Sequence, residues 1–303
     1  LEYNVEVRFK PLYEVIGSLH TFLCRQSHKK LDLSPSWPAE ARRGLTPELV
    51  ELLNNTAIDG DWKLTYLLVH LCPADDAAGF TDWLRKLSAG DLYELISLYS
   101  NQFPAQMSDF RDRTIQLFEL WNEQYVRHMD PIIMKRLQEE ASDKQRLLPS
   151  ADIQSFVDET TNGLYFAPVK GLDNVVLMPQ YHFQPINVIS YFGSFTLCHY
   201  AARVYVEDED FLNPHEYRMI RSVAEKSRLK ILRFLQQGPR TFIEIVRHLE
   251  LSKGITHDHI SKLRNAGLLA AHFEGETLTA YSLRPSALEQ VHHKIIGYIK
   301  QEV

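Results

Sequence analysis

The stretch SKGITHDHISKLRNAG, Ser252 to Gly267, opens on a residue that caps helices and closes on a glycine that ends them. Between the two, Thr256, Ile260 and Leu263 are spaced four and three apart, which predicts one thin buried stripe on a helix. The remaining positions face outward and carry Lys253, His257, Asp258 and Lys262. This is too little apolar surface for a core helix. Upstream, Thr241 and Glu244 in T-F-I-E form a capping box that starts a short helix through Leu249. Only Glu250 to Ser252 separate the two helices. Two short helices on a tight turn predict a helix-turn-helix, whose second helix offers its outer face to a groove. A mixture of donors and acceptors on that face is what reading base edges requires.

The surroundings extend the pattern. HEYRMIRSVAEKSRLKILRFLQQ predicts helix with an apolar stripe at Ile220, Val223, Ile231, Leu232 and Leu235, interrupted near Lys226-Ser227 and stopped by Gly238. After Gly267, LAAHFEGETLTAYSL predicts two strands around Glu274-Gly275-Glu276, a hairpin wing. A last helix from about Pro285 carries Leu288, Val291, Ile295 and Ile299.

The rest of the 303-residue chain differs in texture, and the length itself suggests about two domains. Residues 3–9 alternate as a strand, and Pro11 starts a helix to about Gln26. After a Pro-containing loop at 29–44, helices are expected at about 47–55, 61–71, 76–87 and 90–100, with Ser88 and Asp91 as a cap pair. A long helical stretch at 107–141 is expected to bend at Pro131. A short helix follows at 150–159. Then LYFAPV, NVVLMPQ, INVISYF and FTLCHYAARVYV predict a small antiparallel sheet, which the first strand can join. EDEDFLNP, Glu207 to Pro214, is expected to be a charged linker. The expectation is therefore an α+β protein. Residues 1–213 form a mostly helical domain of unknown input, for effector binding or dimerisation, and residues 214–303 form the winged helix-turn-helix.

Charge follows this division. Pro214 to Val303 hold 14 Lys and Arg against 9 Asp and Glu, a balance of +5, in a chain of net charge −6. The remainder is thus at −11. A basic tail on an acidic body fits an acidic partner for the tail, or chance asymmetry between domains. With 45% hydrophobic residues there is enough apolar material for a core, and no apolar run is long enough to span a membrane. LEYNVEVRFK lacks the apolar block of a signal peptide. Cys24, Cys72 and Cys198 lie far apart, as expected for free thiols in a reducing cytoplasm.

The run VAEKSRLKILRFLQQGPRTFIEIVRHLELSKGITHDHISKLRNAGLL resembles the DNA-binding core of ArsR-type winged-helix repressors. The resemblance rests on SRLKILRFL, on LSK-x(5)-HI-x(2)-L-R-x-A-G-L and on a hairpin ending in Tyr281-Ser282-Leu283. It covers about a quarter of the chain; the N-terminal part looks like the long N-terminal regions of uncharacterised members. It implies a dimeric bacterial repressor that binds an inverted repeat in double-stranded DNA until a signal releases it. Carried onto this sequence, it implies Ser252, Lys253, Gly254, His257, Asp258 and Ser261 at the groove. Lys262, Arg264, Arg240 and Thr241 would be within reach of phosphate. Two departures weaken phosphate attraction: Asp258 where the family often has Arg, and Glu274 and Glu276 at the wing tip.

No metal or cofactor is expected. The Cys-x-Cys of metal-sensing relatives is absent from TFIEIVRHL. Adjacent His292 and His293 point about 100° apart on a helix. His20, Cys24 and His28 form a ligand-type stripe, but one that continues Leu12-Ile16 and equally describes a core edge. No P-loop, GxGxxG, HExxH or G-x-S-x-G is present, and catalysis is not expected. The aromatics Trp37, Trp62, Trp83, Trp121, Tyr66, Tyr93, Tyr99, Phe103, Phe110, Phe118 and Tyr125 either fill an ordinary core or line a pocket for an apolar or aromatic effector. The reading is thus a cytoplasmic transcriptional repressor acting as a homodimer. The alternative is a protein-interaction module whose winged helix no longer reads DNA.

Overall fold

The computed structural model describes residues 3–205 and 212–300. In chain order the first part contains β1 (Asn4–Val7), α1 (Pro11–Leu23), α2 (Trp37–Arg43), α3 (Pro47–Asn54), α4 (Gly60–Leu71), α5 (Ala77–Lys86), α6 (Ala89–Ser97) and α7 (Met107–Gln124). Next come α8 (Pro131–Leu147), α9 (Ile153–Thr161), β2 (Leu164–Phe166), β3 (Asn174–Gln180), β4 (Val188–Tyr191) and β5 (Phe195–Ala201). The C-terminal part contains α10 (Pro214–Val223), α11 (Lys226–Leu235), α12 (Phe242–Leu249), α13 (Lys253–Asn265), β6 (Leu269–Glu274), β7 (Thr277–Leu283) and α14 (Pro285–Lys300). The architecture is α+β. No helix among the described residues is long and apolar enough to cross a membrane.

Two compact units make up the chain, and no single cut separates them. One holds Asn4–Gln145 and Gly171–Val204; the other holds Leu1–Tyr3, Arg146–Lys170 and Tyr205–Val303. The sequence-based cut at 213 therefore differs from the packing: α9 and β2 group with the C-terminal residues. Residues 206–211, most of the expected linker, lie outside the described residues.

In the larger unit α1 is buried almost all round, with Leu12, Val15, Ile16 and Leu19 nearly or fully inaccessible. Helices α3 to α7 enclose it, and Trp121, Tyr66, Phe80 and Phe118 fill the core without measurable exposure beyond 2%. Thr46 caps α3, and Ser88 with Asp91 forms the capping box of α6, as their sequence pattern predicts. Pro131 begins a helix instead of bending one. Asp130 accepts the N–H of Ile132 at 2.9 Å, and proline at the first helical position has no N–H to strand.

The sheet of this unit is mixed, in the order β1-β3-β5-β4, and not antiparallel as expected. β1, β3 and β5 run parallel, and only β4 pairs antiparallel, forming a hairpin with β5. The reason lies in burial. β3 and β5 are covered on both faces almost throughout. Strands buried on both faces read as continuous apolar runs, which is the parallel pattern.

In the other unit, Glu225 caps α11 by accepting from Ser227 and Arg228, which explains the predicted interruption near Lys226. Ile231, Leu235, Ile245, Ile260, Leu263, Leu268 and Leu269 form its core. β6 and β7 make the expected hairpin, but β2 adds to β6 in parallel, giving the three-stranded sheet β2-β6-β7. Gly267 ends α13 at φ +70, and a Cβ there would stand 2.0 Å from Asn162 Oδ1. The left-handed backbone is what favours glycine here, since the near atoms are the end of the Asn162 side chain. α14 buries Ala287 and Val291. The rest of its expected stripe is outside the core: Leu288 and Ile299 are exposed, and Ile295 is half-buried.

Candidate nucleic-acid interface

The interface is set by how α12 and α13 are joined. Thr241 and Glu244 form the capping box of α12: the Thr241 hydroxyl donates to the Glu244 carboxylate at 2.8 Å and accepts from the Glu244 N–H. The helix ends at Glu250, which takes a left-handed conformation at φ 56, uncommon for a residue with a side chain. Ser252 then caps α13 by accepting from Ile255 N–H at 3.3 Å. The turn is complete in three residues.

α13 buries Thr256, Ile260 and Leu263, the stripe its spacing predicts. His259, half-buried, places Nδ1 3.6 Å from the Glu225 carboxylate at the start of α11. Lys253, Gly254, His257 and Asp258 are exposed, and Ser261 is half-buried. His257 packs edge-on to Phe242 of α12, with ring centroids 6.4 Å apart. Around Gly254 a Cβ would meet nothing within 4 Å, so the start of α13 stands open. Its first backbone N–H groups and the positive end of the helix dipole suit an anion such as a phosphate.

The residues assigned to phosphate contacts divide. Lys262 is exposed, but its ammonium donates to Asp258 at 2.6 Å, one turn away. The acid that departs from the family pattern is thereby neutralised within the helix, and it occupies the cation beside it. Arg264 is turned inward, its guanidinium 6.0 Å from the Tyr281 ring centroid. Burial lowers its pKa from the ordinary arginine value. Arg240 lies over Phe234 at 5.0 Å and approaches Glu244 at 3.9 Å. Thr241 spends its hydroxyl on the cap. As placed, Arg264 is turned toward the core, whereas Thr241 is exposed and Arg240 half-buried at the start of α12, each already engaged by a neighbour. An aromatic face or a capping carboxylate close in space satisfies each of them first.

One outward residue escaped the sequence reading. Ile255 is 51% exposed on the first turn of α13. Its position beside the 256–260–263 stripe, and not on it, was the available signal. An exposed aliphatic group next to His257 and Asp258 has the chemistry to meet a thymine methyl. At the wing tip Glu274 and Glu276 are both exposed, with Gly275 at φ 59 between them.

With this geometry in view, the family comparison decides the class of the domain. Residues 225–271 match the bacterial regulatory proteins of the arsR family. The arsR-type segment thus spans α11, α12, α13 and the start of β6. A curated relative, described as a probable mercury resistance operon repressor of Streptomyces lividans, is 36% identical over 61 residues. That alignment covers 20% of this chain and 49% of the relative, so the chain spans about half the length of the curated relative it matches. No solved structure gives a significant match.

The ligand-type groups weighed from sequence go to separate partners. In the larger unit the His20 ring accepts from Trp62 and Tyr66, Cys24 Sγ lies 3.1 Å from Ser27 Oγ, and His28 Nε2 lies 2.8 Å from the Thr21 carbonyl. In α14 the rings of His292 and His293 stand 5.8 Å apart at 77°. Among the described residues no group of three or more His, Cys, Asp or Glu is arranged to hold a metal ion.

Proposed function

We propose that the chain is a DNA-binding transcriptional regulator that represses by occupying an operator through α13, under the control of a signal read by its larger unit. The observation that carries this is the open, mixed face of α13: Lys253, Gly254, Ile255, His257 and Asp258 stand clear of the core on an arsR-type helix-turn-helix. Base edges are read by such a face, and phosphate suits the N–H groups at its start that Ser252 leaves unbonded. A homodimer is part of the proposal. α14 leaves Leu288, Ile296 and Ile299 exposed, an apolar surface without a use inside its own unit. Two copies would present two recognition helices to an inverted repeat.

The test is selection of genomic fragments by the purified protein, followed by titration of the best fragment against scrambled competitor at two salt concentrations. Enrichment of one inverted repeat with a specificity ratio of about 10³ or more supports the regulator. Lys253→Ala should weaken all sequences alike, whereas His257→Ala should change which sequence is preferred. Equal behaviour of both variants and the wild type on every sequence would place a different element in the groove.

A second reading has a specific observation behind it. Arg264 is turned inward, Arg240 lies over Phe234 and Lys262 is paired, so the cations assigned to phosphate beside Lys253 are engaged within the fold, and the wing tip is acidic. A winged helix that binds protein in place of DNA would look this way. Asp258→Asn separates the two. Releasing Lys262 should steepen the dependence of log K on log salt by about one phosphate contact. An unchanged slope would mean this turn of α13 does not approach the backbone, and would favour the protein-binding module.

A further inference from the structure

We propose that the larger unit carries a binding site for a small organic cation with an apolar or aromatic body. A cleft of about 570 Å³ opens on this unit, a volume within the range of small-molecule sites. Trp37, Tyr125 and Tyr181 bring aromatic rings to it, Met129 adds a polarisable thioether, and Glu40 and Asp130 bring carboxylates. No Lys or Arg among the described residues lines it; the other ionisable groups on its wall are His128 and His182. Gln124, also on the wall, has its amide tied to Thr46.

A buried chain of hydrogen bonds fixes this wall from behind. Glu14, fully buried on α1, accepts the backbone N–H groups of Tyr181 and His182 at 3.0 and 3.1 Å. It also lies 2.5 Å from His182 Nδ1, which assigns the ring proton to that nitrogen. In the neutral ring His182 Nε2 then accepts the Tyr125 hydroxyl at 2.7 Å, and the Tyr125 oxygen accepts the Trp37 indole N–H at 2.8 Å. Behind Tyr125, Trp121 stacks at 4.5 Å.

The chain has a chemical consequence. The indole N–H of Trp37 and the O–H of Tyr125 both point into it, so neither donor is offered to the cleft. What remains for a ligand is ring faces, carboxylate oxygens and the His128 imidazole. Such a wall attracts a positive charge through the ring quadrupoles and the acids, and sets two carboxylates against an anion with only the His128 imidazole to favour it. Because the rings are held before the ligand arrives, little ordering cost opposes binding. Use of the site as the regulator's input rests on the function proposed above. The binding itself does not, and its test contains no DNA.

The experiment is calorimetric titration of the full chain with benzyltrimethylammonium, with benzoate and benzyl alcohol as the anionic and neutral probes of similar body. The cation should bind with Kd below about 1 mM, and the other two at least about tenfold more weakly. Trp37→Ala should lose about tenfold and Trp37→Phe much less, because the ring and not the N–H makes the contact. Glu40→Gln, on an exposed side chain, should weaken the cation alone. Benzoate binding as tightly as the cation would overturn the proposal. So would cation affinity unchanged in both Trp37→Ala and Glu40→Gln, or no heat of binding up to about 10 mM cation. Each of these outcomes would refute this inference and leave the regulator reading standing, because that reading is tested separately on DNA.

Discussion

Arg284→Ala is expected to destabilise the winged-helix unit by about 3 kcal/mol. Arg284 is 9% exposed at the junction of β7 and α14. Its Nε and Nη2 engage the Asp158 carboxylate at 2.8 and 2.7 Å, and Nη2 also donates to the Asp158 carbonyl at 3.3 Å. Nη1 donates to the Gly267 carbonyl and to Asn162 Oδ1. One guanidinium thus ties the end of α9, the end of the recognition helix and the start of α14 into one cluster. Truncation leaves the Gly267 carbonyl and the half-buried Asp158 carboxylate without their partner, and that lost pairing is what costs. Arg284→Lys should rescue little, since a single ammonium cannot reproduce the planar fork. Urea unfolding of the variants is the measurement. A loss under about 1 kcal/mol would show that water replaces the network at little cost. DNA affinity should fall with stability, because the last turn of α13 is held through Gly267.

Acid should unfold the larger unit well before ordinary carboxylates are protonated. His20 on α1, His70 on α4 and His199 on β5 are pushed by burial down to about 4, about 4 and about 3, from 6.5. His199 feels both other histidines as well. The unfolded chain protonates these rings near pH 6.5, and the folded chain resists until near pH 4. Between those values the unfolded state binds more protons, so stability must fall as pH falls. The contribution is complete above pH 6.5 and is lost on the way down to about pH 4. For the nearly inaccessible His20 and His199 it is on the order of 3 to 5 kcal/mol each. Urea midpoints at pH 7.5, 6, 5 and 4 test this. The wild type should lose most of its stability across the series, and His199→Gln should lose distinctly less. A flat profile would mean these rings are hydrated in solution. His20 is a poorer position for substitution, because its Nδ1 accepts from both Trp62 Nε1 and Tyr66 Oη at 3.0 and 2.9 Å.

The C-terminal helices were legible because their signals are local. A capping box at 241–244, a cap at Ser252, a stripe at 256, 260 and 263 and a terminating glycine all act within a few residues, and the structure contains each of them. The outward face of α13 follows from the same periodicity. The cap pair at Ser88 and Asp91 and the proline starts of α1 and α3 were readable for the same reason. Most of the aromatic list fills core, as the plainer of its two readings held; Trp37 and Tyr125 also face the cleft.

What the sequence by itself determined is therefore the set of local choices: where helices begin and end, which face of each is apolar, and that α13 has a face to spare. Partnership was decided only by the tertiary structure. Nothing within a few residues of Leu164 announces that β2 will join the wing, since its partner Ala271 is fixed by strand pairing across the chain. That Tyr281 and Phe234 lie beneath Arg264 and Arg240 is likewise invisible in the local sequence. The parallel core of the larger sheet, the Asp158–Arg284 cluster and the Glu14–His182–Tyr125–Trp37 chain belong to the same class. Each joins residues far apart in sequence, and the energy that selects them, burial offset by a satisfied hydrogen bond, exists only once the chain has closed around them.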